Sequence, residues 1–164
     1  MTLQVSGLSA VRSGRTILHP TSLEIAPRAR LGLVGSSGSG KSTLGHAVID
    51  DLQAQGHSVA HVPQSPDEAL DPLRTMAFHW REAEAALGLA QTMALLDRVL
   101  SGRDTAMLLI THDLGLAARR VDRLLVMDAG HLVEQAATYQ ILEQPKSKAA
   151  RALSAHRSWV ELPC

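Results

Sequence analysis

The chain has 164 residues, enough for one compact domain with a buried core. Hydrophobic residues make up 45% and charged residues 20%, as in an ordinary globular protein, but aromatic residues make up only 2%. The 16 basic and 16 acidic residues cancel, so neither charge nor aromatic content favours a nucleic-acid partner. The one cysteine is Cys164, which excludes a disulfide within the chain.

The chain up to residue 34 is predicted to be β-structure. Polar and apolar residues alternate there as in half-buried strands, and Ser13-Gly14 and Pro27 mark turns. The strands expected in this region are 2–5, 22–25 and 31–34. A helix is expected next at 42–55, with Leu44, Val48 and Leu52 on one face and Gly56 as its stop.

The remainder of the chain is predicted to alternate short strands with helices. An Asp-Ala-Gly turn at 128–130 indicates a hairpin between two of the strands. In chain order the elements are strand 58–62, helix 73–100, strand 107–111, helix 114–121, strands 124–127 and 131–134, and helices 138–143 and 148–155.

A glycine-rich loop lies between strand 31–34 and the helix that follows. It consists of Gly35, Ser36, Ser37, Gly38, Ser39, Gly40, Lys41 and Ser42 and fits G-x-x-x-x-G-K-[ST] in full. Glycines let backbone N–H groups point at phosphate oxygens, and the helix adds the positive end of its dipole. Lys41 is expected to reach the β- and γ-phosphates, and the Ser42 hydroxyl to ligate Mg²⁺. A flexible linker is the alternative, which the strand–loop–helix context disfavours.

Several segments resemble the ATP-binding subunits of ABC transporters. The phosphate loop, preceded by Leu33-Val34 and followed by Thr43, resembles the family's Walker A motif. Residues 62–66, Val-Pro-Gln-Ser-Pro, resemble its Q-loop, and residues 109–114, Leu-Ile-Thr-His-Asp-Leu, resemble its H-loop. The Leu-Asp-Pro element at 70–72 is similar to the ATPases of dipeptide, oligopeptide and nickel importers.

The resemblance implies an α/β fold of the P-loop NTPase type. A mainly parallel sheet with flanking helices and an N-terminal β subdomain is expected, within a single nucleotide-binding domain. Its expected parts are a β-rich subdomain 1–34, a P-loop to Q-loop segment 35–64, a reduced helical region 65–103, and an H-loop and C-terminal part 104–164.

The resemblance also implies roles for individual residues. ATP and Mg²⁺ are expected at the phosphate loop and Thr43, with Gln64 contacting Mg²⁺ or the attacking water and His112 contacting the γ-phosphate. The expected partners are transmembrane permease subunits and a second ATPase subunit, identical or not. These partners imply a cytoplasmic location at the inner face of the cell membrane, and the N-terminus shows no signal-peptide pattern.

Three features depart from the family pattern. Val11 and Arg12 occupy the region where the family stacks an aromatic residue on adenine, although Arg12 is able to stack on a base as a cation. The interval from Lys41 to Gln64 is short. Neither the Leu-Ser-Gly-Gly-Gln-like signature nor a Walker B strand ending in Asp-Glu lies between Gln64 and His112. The chain therefore resembles a family member with an internal deletion, joined near residues 88–91.

The leading hypothesis is an ATP-binding subunit of a peptide or nickel importer, with slow or no ATP hydrolysis on its own. The Walker B carboxylates that the reaction needs are not found. A small P-loop kinase acting on a metabolite is one alternative, although 34 residues precede the loop and no arginine-bearing lid follows. A nucleotide-binding interaction module without turnover is the other, and the missing motifs are compatible with it.

Overall fold

The computed structural model describes residues 2–61, 105–112 and 114–155. The chain divides into two compact units, one formed by Met1–Ser58 with Thr105–Cys164 and one by Val59–Asp104. All strands and helices given below belong to the first unit. Gln64 and the helix predicted at 73–100 lie outside the described residues.

The N-terminal region is an antiparallel hairpin of β1 (Leu3–Arg12) and β2 (Arg15–Ile25). Ser13 and Gly14 form its turn with φ of 50° and 73°, the left-handed backbone that two-residue hairpins favour. Both strands are longer than predicted. The pairing register shifts between Val5 and Val11, and such irregularities break the alternation from which a strand is recognised.

Among the described residues, the main sheet has four strands in the order β4-β3-β5-β6. These strands are β3 (Arg30–Gly35), β4 (Met107–Ile110), β5 (Arg123–Asp128) and β6 (His131–Ala137). β3 is parallel to β4 and β5, whereas β6 returns antiparallel to β5. The predicted α/β class with a mainly parallel sheet and an N-terminal β region is confirmed.

The predicted strand 58–62 is wrong over its described part. Residues 58–61 have no regular structure, and no described strand pairs with them. A strand needs a neighbour to satisfy its backbone N–H and C=O groups, and the short apolar stretch alone does not supply one.

In the described part of the chain, four helices flank the sheet. They are α1 (Lys41–Ala54), α2 (Leu114–Ala118), α3 (Thr138–Glu143) and α4 (Lys148–Ala155). The bounds of α3 and α4 are those predicted from the sequence. Within the described ranges, none of these helices is long and apolar enough to cross a membrane.

α1 packs on the sheet separately from the other three described helices. Val34, Leu124 and Val126 on the sheet pack with buried residues of α2, α3 and α4. α1 packs on the sheet outside this cluster and buries Leu44, Val48 and Leu52. Its approach to β4 is close, because a Cβ atom at Gly45 would overlap the Cδ1 atom of Ile110. The start of α1 is thereby held at one edge of the sheet.

A carboxylate holds the C-terminal helix α4 against β6. Glu134 accepts hydrogen bonds from the backbone N–H groups of Lys146 at 3.0 Å and Ser147 at 2.7 Å. Burial raises the pKa of Glu134, but these hydrogen bonds outweigh it and hold the pKa below its ordinary 4.5. The charge therefore persists at neutral pH, next to the helix N-terminus that favours it.

Ala129, in the turn between β5 and β6, has a left-handed backbone with φ of 45°. This conformation costs alanine more than asparagine, and Asn-Gly is the preferred pair for a two-residue hairpin. We expect Ala129→Asn to raise the free energy of unfolding by about 0.5–1 kcal/mol, measured by urea denaturation. Ala129→Val, which is β-branched, is the matched control and should lower it. Equal stability of the parent and the Asn variant would contradict the assignment of strain.

Candidate functional site

Three parallel strands end at the same edge of the sheet. β3 ends at Gly35, which pairs with Met127 on β5, while Ile110 at the end of β4 pairs with Leu33. The glycine-rich loop therefore leaves the sheet between its two parallel neighbours. His112 is exposed two residues beyond β4, so it lies at this edge as well. Such carboxyl edges collect the functional residues of α/β proteins.

The loop leads directly into the N-terminus of α1, which begins at Lys41 after Gly40 with φ of 97°. No side chain caps this end of the helix, and its first turn contains no acidic residue. The first N–H groups of a helix have no partner within the helix, and the helix dipole adds partial positive charge there. The arrangement is suited to an anion.

An open pocket of about 180 Å³ lies at this helix end. It brings together five of the nine residues predicted to hold nucleotide: Gly38, Gly40, Lys41, Ser42 and Thr43. The sixth lining residue is Ile17 of β2, for which the sequence predicted no role. Of the other loop residues, Ser36 and Ser37 are exposed, whereas Gly35 and Ser39 are buried. The structure does not place Gln64, which lies outside the described residues.

The Lys41 side chain folds back onto its own loop. Its Nζ atom donates to the carbonyl oxygens of Gly35 at 3.0 Å and Ser36 at 2.7 Å, and lies 3.5 Å from the Ser39 hydroxyl. Burial lowers the pKa of Lys41 below its ordinary 10.5. The loop thus holds the Lys41 ammonium beside the uncapped start of α1. Its carbonyl partners are neutral, so an anion forms stronger hydrogen bonds with the ammonium and is able to replace them.

The turn between β5 and β6 supports the loop from one side. The Gly130 N–H donates to the Ser39 carbonyl at 2.9 Å, and the His19 N–H donates to the Gly130 carbonyl at 2.9 Å. The rings of His19 and His131 stack with centroids 3.7 Å apart. The Ile17 carbonyl lies close to two glycines. A Cβ atom at Gly130 would overlap the carbonyl oxygen, and a Cβ atom at Gly40 would lie 3.1 Å from it. Sequence reasoning identified Gly130 only as a turn residue, because no local pattern reveals a contact this distant along the chain.

A comparison with known families identifies the chain. The family model described as "ABC transporter" matches residues 18–155, which is most of the sequence. The chain belongs to the ABC transporter family. The predicted ABC-type ATP-binding subunit is thereby confirmed, and within the family the phosphate loop at α1 is the feature that marks an ATP-binding member.

Individual relatives extend this family assignment. The "Nickel import ATP-binding protein NikD" of Rhodospirillum rubrum is 25% identical, with 95% of this chain and 95% of that protein covered. The protein of the same name from Brucella abortus is 25% identical, with 96% of this chain and 95% of that protein covered. A solved bacterial Atm1-family ABC exporter with ATP bound superposes with a TM-score of 0.63 at 18% identity, over 96% of this chain. That likeness shows the fold alone, and the chain spans 42% of the exporter chain.

Gly130 offers a test of how strongly the turn supports the loop. We expect Gly130→Ala to lower the free energy of unfolding by at least about 2 kcal/mol, because φ is 80° and the new Cβ would overlap the Ile17 carbonyl. Gly14→Ala is the matched control, since its φ of 73° is similar but nothing lies within 4 Å; it should cost about 1 kcal/mol. Urea denaturation of both variants gives the comparison, and equal losses would contradict a tight contact at Gly130.

Proposed function

We propose that this chain is the ATP-binding subunit of an ABC-type importer of the nickel or peptide class. The carrying observation is the pocket where Lys41, Ser42 and the uncapped start of α1 converge, within a chain of the ABC transporter family. The relatives named for nickel import support the importer class. Its proposed partners are transmembrane permease subunits and a second ATPase subunit, which would hold it at the inner face of the membrane.

The proposed phosphate contacts replace bonds that the loop makes with itself. Lys41 would exchange the Gly35 and Ser36 carbonyls for β- and γ-phosphate oxygens, which form stronger charge-assisted hydrogen bonds. The loop N–H groups and the first turn of α1 would donate to the same oxygens. Because the phosphates are anionic, they favour the charged form of Lys41 and offset the effect of burial on its pKa.

Mg²⁺ is proposed to accompany the nucleotide. Ser42 is exposed and lines the pocket, and its hydroxyl is a hard oxygen ligand of the kind that Mg²⁺ accepts beside phosphate oxygens and water. Gln64 is the second proposed ligand. The bound ion neutralises charge on the phosphates. His112, at the same edge of the sheet, is proposed to contact the γ-phosphate.

Hydrolysis by this chain alone is proposed to be slow or absent. Binding of the triphosphate needs cations and N–H donors, whereas hydrolysis also needs carboxylates that complete the Mg²⁺ site and orient water. Asp128, the acidic residue at the end of β5, does not line the pocket and is exposed. Its strand lies on the side of β3 away from β4. Nothing in the family match favours the alternative of a metabolite kinase.

Lys41→Ala tests nucleotide binding. Loss of the ammonium removes charge-assisted hydrogen bonds worth about 1.5–3 kcal/mol, so we expect the affinity for Mg-ATP to fall roughly tenfold to a hundredfold. Calorimetric titration of parent and variant measures it. Lys148→Ala, an exposed lysine on α4, is the matched control and should leave the affinity unchanged. Equal affinity of parent and Lys41→Ala would overturn the proposed function.

Steady-state phosphate release tests turnover. We expect a rate well below about 1 s⁻¹, the lower end of ordinary enzyme turnover, with or without Mg²⁺. His112→Ala should then change an already small rate very little, because the sequence lacks the Walker B carboxylates that would orient water for the histidine to assist. A Mg²⁺-dependent rate above about 1 s⁻¹ that collapses in His112→Ala would show that another acid performs the role of the base.

A further inference from the structure

Two histidine rings stack where β2 meets the turn between β5 and β6. The ring of His19 on β2 lies nearly parallel to that of His131 on β6, with an interplanar angle of 11° and centroids 3.7 Å apart. His131 is exposed and His19 is half-buried, so protons from solvent reach the pair. In the described part of the chain, neither ring has a hydrogen bond or an ion pair. Because the two strands belong to different sheets, the stack connects the β1–β2 hairpin to the main sheet.

The stack lies beside the contacts that support the phosphate loop. A Cβ atom at Gly130 would lie 3.4 Å from the Cδ2 atom of His19, so the His19 ring packs on the turn itself. The His19 N–H donates to the Gly130 carbonyl, and the Gly130 N–H donates to the Ser39 carbonyl of the loop, both at 2.9 Å. Ile17, two residues before His19, lines the pocket. Two hydrogen bonds therefore separate the stacked rings from the phosphate loop.

Among the described residues, one carboxylate lies beside the stack. Asp128 on β5 is the cross-strand partner of His131, and such partners share a face with Cβ atoms about 5 Å apart. One carboxylate balances one positive charge, so a second proton on the two rings leaves a charge without compensation. The other charged groups on these elements lie elsewhere: Arg12 and Arg15 at the hairpin tip, Glu24 beside Gln4, Lys41 on the loop carbonyls, Asp50 and Asp51 in the second half of α1, Arg123 at the opposite end of β5, and Glu134 at the start of α4.

We propose that the stacked pair of His19 and His131 positions the phosphate loop in a proton-dependent way, an inference that rests on the proposed function. Histidine is the side chain whose charge ordinarily changes between about pH 5 and 8. When both rings are protonated, two positive charges stacked at 3.7 Å repel each other, so the rings separate and β2 no longer packs on the turn. The support at Gly130 then weakens, and the pocket binds a triphosphate less tightly. Nucleotide affinity is therefore higher in neutral solution and falls in acid.

Calorimetric titration of the full chain with Mg-ATP at about pH 7.5 and about pH 5.5 tests this positioning role. Each protein is compared with itself at the two pH values, because the terminal phosphate of ATP also gains protons in this range, equally for every variant. The parent should lose about tenfold more affinity than His131→Phe, whose ring is able to stack but takes up no proton. His57→Phe, a half-buried histidine beyond the end of α1, is the matched control and should keep the pH dependence of the parent.

Salt distinguishes charge repulsion from a merely structural effect of the ring. Because His131 is exposed, added salt screens the repulsion between the two charges. At about 1 M salt, the difference between the parent and His131→Phe should shrink to about threefold or less. A difference that salt leaves unchanged would overturn the repulsion on which the positioning role rests.

Each other result has a definite meaning. An equal loss of affinity in acid for the parent and His131→Phe, with affinity lost in Lys41→Ala in neutral solution, would overturn the positioning role and leave the proposed function intact. Failure of the parent chain to bind Mg-ATP in neutral solution would overturn both. If His131→Phe does not fold, as judged by circular dichroism, His131→Gln provides the same comparison, since glutamine takes up no proton either.

Discussion

The hydrogen bond from the Gly130 N–H to the Ser39 carbonyl, 2.9 Å long, is the contact on which the phosphate loop depends. Glycine loses more conformational freedom on folding than other residues, and the loop contains three glycines among eight residues. An unsupported loop would sample many shapes. The turn between β5 and β6 holds the loop in one shape, and the turn is itself hydrogen-bonded to the His19 N–H. The left-handed strain at Ala129 lies beside this contact, where surrounding structure is able to impose it.

The sheet explains why the loop and the helix start meet at one place. β3 lies between two parallel neighbours, so its carboxyl end opens into the crevice that those strands border. Gly45 then lets α1 approach β4, which positions the uncapped helix end over the crevice. Ile17 of β2 covers the remaining side. The pocket thus depends on three long-range features, which are the parallel pairing of β3, the close approach of α1 to β4 at Gly45, and the position of Ile17 on β2.

Features that depend on neighbouring residues could be predicted from the sequence, whereas features that depend on contacts between distant residues could not. The strand, loop and helix around Lys41 depend on neighbouring residues, and so do α3 and α4, whose bounds agree with prediction. The strand predicted at 58–62 rested on a short local pattern, which does not reveal whether a pairing partner exists. Ile17 and Gly130 were not predicted at the site, since their contacts join residues far apart in the chain.

The phosphate site, as the described residues form it, gives a physical basis for separating binding from hydrolysis. Its described groups, from Ile17 to Thr43 together with Gly130, all belong to the first compact unit. Groups that hold the ground state of a triphosphate differ from those that stabilise its transition state. The first set does not require the second, because in the described part of the chain the loop is supported by β2 and by the β5–β6 turn.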